Sequence, residues 1–183
     1  MKLNLGCGPN PKEGWVNVDV DDYGNNKIIK CDLTKEVPFE DNSVDEILMD
    51  NFIEHIPRER YFWFLEEIYR VCKQGAKVTI YAPHFTGISA LQHPSHYNYY
   101  GVGSFDTMNI NCPVTFERYC NVKFKVKATL LFFHHNLYTM KFLSKLNKFI
   151  NWFWNINPMW QRFMERFNIF GFDEIKYEIE VIK

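Results

Sequence analysis

A glycine-rich turn follows the first apolar segment of the chain, and a carboxylate ends the second. Residues 3–8 read Leu-Asn-Leu-Gly-Cys-Gly, a short predicted strand that runs into a G-x-G turn, and Asp19 ends the next predicted strand eleven positions after Gly8. Glycine lets a backbone turn tightly and approach a ligand closely, and a carboxylate at the tip of a neighbouring strand can accept both hydroxyls of a ribose. The pair predicts a binding site for a nucleoside.

The turn does not have the third glycine of a dinucleotide-binding site. That site requires G-x-G-x-x-G, because the last glycine lets a helix pack closely and direct its N-terminus at a pyrophosphate. Pro11 takes that position here, which disfavours a nicotinamide oxidoreductase. S-adenosylmethionine contains adenosine and no phosphate, so it requires the glycine turn and the ribose carboxylate without an anion site. A plain strand-to-loop turn at Gly6 and Gly8 is the alternative at this point.

Five further blocks follow in a fixed order. They are Gly14-Trp15-Val16-Asn17-Val18-Asp19, Cys31-Asp32-Leu33, residues 37–47, Ile53-Glu54-His55-Ile56 and residues 65–75. In this order and spacing, residues 3–84 resemble a class I S-adenosylmethionine-dependent methyltransferase. Within that superfamily, the chain is similar to the compact group linked to surface-polysaccharide biosynthesis.

The resemblance implies a set of cofactor-binding residues. Asp19 would hold the ribose hydroxyls, and Asp32 would accept a hydrogen bond from the adenine amino group, with the Leu33 amide at the ring edge. An exocyclic amine is a donor, so an acceptor at the end of the third strand fits it. Asn51 stands where related sequences often carry histidine beside the methionine end of the cofactor. The full set is Gly6, Cys7, Gly8, Asp19, Asp32, Leu33 and Asn51.

Two of these assignments have alternatives. Asp32 precedes Thr34 and could cap a turn instead of binding adenine. Asp21 is the second candidate for the ribose, although it reads more simply as a solvated loop charge. In an open α/β sheet, ligands bind at the carboxyl ends of the strands. We therefore expect Gly6, Asp19, Asp32, Asn51 and His84, all at predicted strand ends, to surround one crevice.

The alternation of predicted strands and helical segments indicates a parallel, doubly wound sheet. Residues 57–72 have apolar side chains at helical spacing, and Gly75 ends that pattern. Residues 122–133 and 174–182 alternate every two residues and predict an antiparallel edge. We expect one three-layer, Rossmann-like α/β domain over residues 1–183, with about seven mostly parallel strands. Five of the strands are predicted at 2–6, 15–20, 27–31, 44–50 and 77–82.

Cysteine content and charge narrow the class of protein further. The five cysteines form no C-x-x-C pair, so we expect reduced thiols in a cytosolic protein rather than disulfides or a zinc site. There is no signal-peptide pattern and no apolar run of about eighteen residues, which favours a cytoplasmic protein. Residues 1–120 have a net charge of −6 and residues 121–183 of +5. The basic part contains no nucleic-acid-binding module, so we expect no nucleic-acid partner.

Residues 84–119 form a long segment rich in histidine, aromatic and turn residues, and we expect it to bind the methyl acceptor. A proton acceptor is needed when that molecule presents a hydroxyl or a protonated amine, and histidine titrates near neutrality. Taken singly, each histidine of the segment reads more simply as an ordinary hydrogen-bonding loop residue than as the proton acceptor. The candidate catalytic residues are His84, His93 and His96.

The His93-x-x-His96 spacing, with Asp106 nearby, also matches part of a divalent-metal site that would bind a sugar diol. Two histidines without a defined third ligand are common by chance, so the preferred interpretation has no metal. Tyr97 or Asp106 would then orient a catalytic histidine, and His55 would be structural.

Residues 141–170 are aromatic and basic. Apolar stripes typically face a core, so one interpretation is a lid that packs over the crevice. The other is a basic amphipathic element that rests on an anionic membrane and reaches a lipid-linked acceptor. The two stripes, one on each side of Pro158, are Phe142, Leu146, Phe149, Ile150 and Phe153, and then Trp160, Phe163, Met164 and Phe167.

The preferred hypothesis is an enzyme that transfers a methyl group from S-adenosylmethionine to a small molecule or saccharide, lipid-linked acceptors included. It would work in the cytoplasm or at the inner face of the membrane. The alternative is a non-catalytic binding or scaffold protein that keeps the methyltransferase fold and uses residues 141–170 as its contact surface. The sequence does not define the oligomeric state.

Overall fold

A seven-stranded sheet organises the described part of the chain. The computed structural model describes residues 1–110, 120–132, 143–167 and 171–183. The strands are β1 Lys2–Leu5, β2 Val16–Asp19, β3 Ile28–Lys30, β4 Val44–Asp50, β5 Cys72–Pro83, β6 Phe124–Phe132 and β7 Glu174–Val181. Their spatial order is β3-β2-β1-β4-β5-β7-β6. Strands β1 to β5 are parallel, and β7 runs antiparallel to both of its neighbours.

The helices lie in the later connections. They are α1 Arg58–Val71, α2 Ile88–Gln92, α3 Leu143–Trp154 and α4 Pro158–Phe167, with short 3-10 helices at Ile53–His55 and Asp106–Met108. The three connections before β4, all within the described residues, contain no helix. The predicted Rossmann-like α/β class, the mostly parallel sheet and the antiparallel edge are confirmed.

The boundary between α1 and β5 differs from the prediction. The helix ends at Val71 and the strand begins at once at Cys72, rather than after Gly75. Pairing with β4 jumps from Val44–Cys72 to Glu46–Lys77, so the intervening residues bulge out of the ladder. Gly75 has a φ of 77° inside this bulge, a backbone conformation that glycine adopts without a steric penalty. The glycine therefore marks a bulge and not the end of the helix.

One face of the sheet carries the hydrophobic core. Helix α1 packs Phe64, Leu65 and Ile68 into this core, which also receives Trp154 from α3 and Met164 from α4. The opposite face is polar and partly exposed, with ion pairs that join Lys2 to Glu46 and Lys127 to Glu180. The core residues contributed by the sheet include Leu3, Leu5, Val18, Ile47, Met49, Val78, Ile80, Ile175, Tyr177 and Ile179.

The α3–α4 hairpin is fixed to the outer strand β6. Asn155 accepts a hydrogen bond from the Leu131 amide and donates one to the Leu131 carbonyl, both at 2.8 Å. Gln161 donates to the Thr129 carbonyl at 2.6 Å. These side chains satisfy backbone groups of an edge strand that would otherwise be open to pairing with another chain. No helix among the described residues has the length and apolar character needed to cross a bilayer.

Candidate active site

A cleft opens at the carboxyl ends of the strands, where the strand order reverses between β1 and β4. It has a volume of about 400 Å³. Ligands bind at this position in open α/β sheets, because neighbouring connections leave the sheet in opposite directions and a crevice remains between them. The residues that line the cleft are Gly6, Gly8, Asp19, Val20, Tyr23, Cys31, Asp32, Leu33, Thr34, Asn51, Phe52 and His55.

The structure brings six of the seven predicted cofactor residues to this cleft. Cys7 does not line it, because its thiol donates a hydrogen bond to the Gly8 carbonyl at 3.3 Å and its amide donates to Val18. His84, which was expected at the same crevice, is also absent from the lining. The six residues that meet are Gly6, Gly8, Asp19, Asp32, Leu33 and Asn51.

The two glycines of the turn have different roles. Both adopt left-handed backbone conformations, with φ of +66° at Gly6 and +58° at Gly8. A Cβ added to Gly6 would lie 2.2 Å from Cδ2 of Phe52, so this glycine permits close packing of the cleft wall. A Cβ added to Gly8 would meet nothing within 4 Å. Gly8 therefore exposes backbone to open space that a ligand can approach.

Asp19 is positioned by the glycine turn and retains acceptor capacity. Its carboxylate accepts hydrogen bonds from the Gly8 amide at 2.8 Å and the Asp21 amide at 3.3 Å, while the residue is 8% exposed. A carboxylate has about four lone-pair sites, and the Tyr23 hydroxyl also hydrogen-bonds to Asp19, so acceptor capacity remains for a ribose hydroxyl beside these three donors. Tyr23 lies close enough for the Asp19 charge to raise the pKa of its hydroxyl. Asp21 instead pairs with Lys30 and does not line the cleft.

The position of Asp32 is compatible both with a turn cap and with an acceptor for the adenine amino group. Its Oδ1 accepts hydrogen bonds from the Thr34 amide at 3.1 Å and the Thr34 hydroxyl at 2.6 Å, which caps a turn. Lys35 lies 2.9 Å from Oδ2. The hydrogen bonds from Thr34 and then from Lys35 lower the pKa of Asp32, so the carboxylate is ionised and can accept a hydrogen bond. It lines the cleft at the tip of β3.

Asn51 lies on the opposite wall of the cleft. Its φ of 50° is left-handed, a conformation that asparagine tolerates better than most residues. The backbone amide donates to Tyr81, and the side-chain amide donates to Asp50 at 2.9 Å and to Glu174 at 3.3 Å. Asn51 thus joins the ends of β4, β5 and β7 beside the cleft.

His84 connects the end of β5 to α4. The residue is fully buried, its Nε2 lies 2.9 Å from Glu165 Oε1, and its Nδ1 lies 2.8 Å from the Thr86 hydroxyl. Glu165 also accepts the Val102 amide at 2.7 Å. Both ring nitrogens are engaged, and His84 is not among the residues that line the cofactor cleft.

His93 and His96 meet a histidine that was interpreted as structural. Their rings stack with centroids 4.7 Å apart, and the His55 ring lies 4.8 Å from that of His96. His55 lines the cleft, so the cluster touches the predicted cofactor site. Burial lowers the pKa of His55 and of His96, which keeps both rings neutral at pH 7. Asp106, the expected third partner, instead binds Arg162 at 2.6 Å.

Glu54, which directly precedes His55 in the sequence, has a buried carboxyl group. It is 1% exposed, and neither carboxylate oxygen has a hydrogen-bond partner among the described residues. Burial, with smaller contributions from the Asp50 and Glu174 charges, raises the pKa of Glu54 to about 7. Its backbone carbonyl accepts the Tyr97 amide at 2.8 Å, which holds the acceptor segment against the 3-10 helix.

Six lining residues were not predicted as cofactor residues. Val20, Tyr23 and Thr34 follow Asp19 or Asp32 by one to four positions, and Cys31 directly precedes Asp32. Phe52 follows Asn51, and His55 belongs to the Ile53-Glu54-His55-Ile56 block. Only this proximity in sequence to predicted residues could have indicated them. The absence of a Cβ at Gly6 leaves room for the Phe52 ring.

Comparison with known proteins agrees with this geometry. Residues 3–80 match the methyltransferase domain family. A SAM-dependent methyltransferase from Archaeoglobus fulgidus superposes with a TM-score of 0.57 at 18% identity, covering 98% of this chain and 85% of that one. One from Aquifex aeolicus superposes with a TM-score of 0.53 at 14% identity, covering 99% and 81%. No curated protein sequence matches the chain.

The same fold also occurs in a protein named for another reaction. The [4+2]-cyclase SpnF superposes with a TM-score of 0.54 at 13% identity, covering 99% of this chain and 74% of that one. At these identities the superpositions establish the fold. The family match covers residues 3–80, the part of the chain that contains the glycine turn and the other residues that line the cleft. Residues 3–80 are thus similar to a methyltransferase domain, within a chain that has the fold of SAM-dependent methyltransferases.

Proposed function

We propose that the chain methylates a saccharide or another small hydroxylated molecule, lipid-linked acceptors included, at the cytoplasmic face of a membrane. The observation that carries the proposal is the meeting of six predicted cofactor residues in one cleft, beside an exposed aromatic surface formed by the acceptor segment.

The cleft residues fit S-adenosylmethionine. Asp19 would accept the ribose hydroxyls, and Asp32 would accept the adenine amino group. The open backbone at Gly8 leaves room for the rest of the molecule. When bound, the cofactor supplies a methyl group on a positively charged sulfur, and an acceptor lone pair forms the new bond while the carbon–sulfur bond breaks toward sulfur. The protein mainly aligns the two reactants and excludes water.

The acceptor segment presents aromatic rings to solvent. A shallow cavity of about 650 Å³ is lined by Phe85, Leu91, Tyr99, Gly101, Gly103 and Ser104. A second, of about 330 Å³, shares Tyr99 and Ser104 with it. Phe85, Tyr97 and Tyr99 are each more than 40% exposed. Aromatic faces beside a few hydroxyl and amide groups suit a sugar, which has flat apolar C–H faces and polar edges.

A hydroxyl acceptor loses a proton during transfer. The cluster of His55, His93 and His96 contains groups that can take it, because His55 lines the cleft and burial lowers the pKa of His55 and of His96, which leaves those two rings neutral at pH 7. His93 and His96 therefore stay candidate proton acceptors, and His55 joins them. His84 is placed differently, in its buried contact with Glu165.

The α3–α4 hairpin supports contact with a membrane. Trp154 and Met164 are buried, whereas five other large apolar side chains of the hairpin are between 47% and 80% exposed. Lys148, Arg162 and Arg166 are exposed on the same two helices. An apolar surface with basic residues beside it can rest on an anionic bilayer. The exposed apolar residues are Phe149, Trp152, Ile156, Met159 and Phe163.

Calorimetric titration with S-adenosylhomocysteine tests the cofactor assignment. Asp19→Asn should remove most of the affinity, because an amide cannot accept as strongly from two hydroxyls and its NH₂ opposes the Gly8 amide. Asp21→Asn is the matched control and should bind like the parent. Equal affinities in all three proteins would overturn the ribose assignment. Methyl transfer to polyprenyl-linked and free saccharides, compared in parallel, then tests the acceptor class.

A further inference from the structure

Three imidazole rings meet where the acceptor segment crosses the 3-10 helix that follows β4. His55 belongs to that helix, and His93 and His96 follow α2. One ring nitrogen from each residue lies within 4.8 Å of the nitrogens from the other two. The sequence had supplied only the His93-x-x-His96 pair, and the fold adds a third ligand from 38 positions before His93.

The hydrogen bonds around the rings leave a nitrogen lone pair free on His96 and on His55. His96 donates to the carbonyl groups of Ala90 and Ser89, while its Nδ1 is buried and has no partner among the described residues. The bonded atom is therefore Nε2, and the Nδ1 lone pair is free. Metal-binding histidines typically donate their other N–H to a backbone carbonyl in this way, which fixes the tautomer.

Ser95 lies between the other two rings. The Nδ1 of His55 lies 3.1 Å from the Ser95 carbonyl and 2.9 Å from its hydroxyl, and the Nδ1 of His93 lies 2.8 Å from that hydroxyl. A carbonyl can only accept, so Nδ1 of His55 carries the proton and its Nε2 carries the lone pair. The Ser95 amide donates to Nδ1 of His93 at 3.4 Å, so the lone pair of that ring lies on Nδ1. A single serine thus orients two of the three candidate ligands.

We propose that His55, His93 and His96 form a mononuclear site for a divalent transition metal of the zinc type, with a fourth position open to water or to an oxygen of a bound molecule. Three neutral imidazoles are a ligand set that suits Zn²⁺, Co²⁺ or Ni²⁺, and hard cations such as Mg²⁺ require oxygen ligands instead. The metal would link the acceptor segment to a wall of the cofactor cleft, because His55 lines that cleft.

The geometry allows this with a small adjustment. Zinc–nitrogen bonds of about 2.0–2.1 Å in a tetrahedral site place ligand nitrogens roughly 3.3 Å apart. The present separation of up to 4.8 Å must shorten accordingly. His93 is exposed and free of core packing, so rotation of its side chain can close the site.

Metal binding and proton transfer are exclusive roles for these rings. A lone pair that binds a metal cannot accept a proton, so an occupied site would instead polarise an acceptor oxygen at the open position. Binding of the metal does not depend on which acceptor is methylated. The site can therefore be tested without an activity assay.

The experiment is a calorimetric titration of chelator-treated, untagged protein with Zn²⁺, followed by Co²⁺ and its visible absorption spectrum. We expect one Zn²⁺ per chain, and a loss of about tenfold or more in affinity in His93→Ala and in His96→Ala. Gln92→Ala, an exposed neighbour, is the matched control and should bind like the parent. Ser95→Ala should weaken binding while all three ligands remain.

Two results would overturn the proposal. One is the absence of Zn²⁺ binding by the parent at about pH 7.5, a pH at which protons compete little with the metal for imidazole. The other is equal affinity in His93→Ala and the parent, which would place the metal on cysteines instead. Because His93 is exposed, its variant is expected to fold, and thermal unfolding verifies this. Tetrahedral Co²⁺ absorption that disappears in His93→Ala would support the site directly.

Discussion

Replacement of Glu54 by glutamine should make the fold more stable in alkaline solution. The carboxyl is 1% exposed and has no hydrogen-bond partner among the described residues. Burial first, and then the charges of Asp50 and Glu174, raises its pKa from 4.5 to about 7. One pKa unit corresponds to about 1.4 kcal/mol, so ionisation of Glu54 costs the folded state roughly 3 kcal/mol.

The sign follows from the raised pKa in the folded state. The folded protein binds the proton more tightly than the unfolded chain does, so the protonated carboxyl contributes its full stability below the unfolded pKa of 4.5. That contribution is lost as the pH rises through about 7, the folded pKa. Glutamine has the same shape and no charge, so its variant should not show this loss.

Urea unfolding at about pH 5 and about pH 8.5 measures the effect. We expect the free energy of unfolding of Glu54→Gln to exceed that of the parent by roughly 2–3 kcal/mol at the higher pH and to differ little at the lower. Any cost of burying the glutamine NH₂ is independent of pH and cancels between the two conditions. Glu59→Gln, on the exposed side of α1, is the matched control. A variant with the same pH dependence as the parent would refute the reasoning.

Three further variants test other parts of the structure. Gly6→Ala should lower the free energy of unfolding by about 1–3 kcal/mol because of the left-handed φ at this position. The loss should exceed that of Gly14→Ala, because a Cβ at Gly6 would lie 2.2 Å from the Phe52 ring and a Cβ at Gly14 would meet nothing within 4 Å. Equal urea midpoints for the two variants would contradict this. The double change Trp152→Ser and Met159→Ser should abolish co-sedimentation with anionic phospholipid vesicles and leave thermal unfolding unchanged, since these side chains are 63% and 80% exposed; retained binding would count against the membrane contact. Asn155→Ala should speed hydrogen exchange in β6 and cost about 1–3 kcal/mol, because it leaves two backbone groups of an edge strand unpaired; unchanged exchange would show that another group covers the strand.

The cleft could be predicted from the sequence because its residues lie at strand ends. Parallel neighbouring strands end at the same edge of a sheet, so Gly6, Asp19 and Asp32 had to be close once their strands were recognised. The two-residue alternation likewise indicated the β6–β7 pair. Local sequence patterns are sufficient to predict a site where the pairing of strands in the sheet fixes which residues lie close together.

The histidines could not be placed in this way because their surroundings come from distant segments. His84 ends a strand like the cofactor residues do, yet Glu165, 81 positions later, binds its ring and α4 covers it. No periodicity links those two positions. The expectation that His84 would border the crevice relied on its position at a strand end, which indicates the edge of the sheet and not the direction of the side chain.

The contact of His55 with His93 and His96 also depends on segments that are distant in sequence. In this case the contact forms next to the cofactor cleft. The Glu54 carbonyl accepts the Tyr97 amide, and Asn98 donates to the Ile56 carbonyl at 2.6 Å, so the acceptor segment folds back on the 3-10 helix. The backbone bonds that bury Glu54 therefore also bring the three imidazoles together. A carboxyl with a pKa of about 7 therefore directly precedes His55 at this junction, and His55 forms part of the wall of the cofactor cleft.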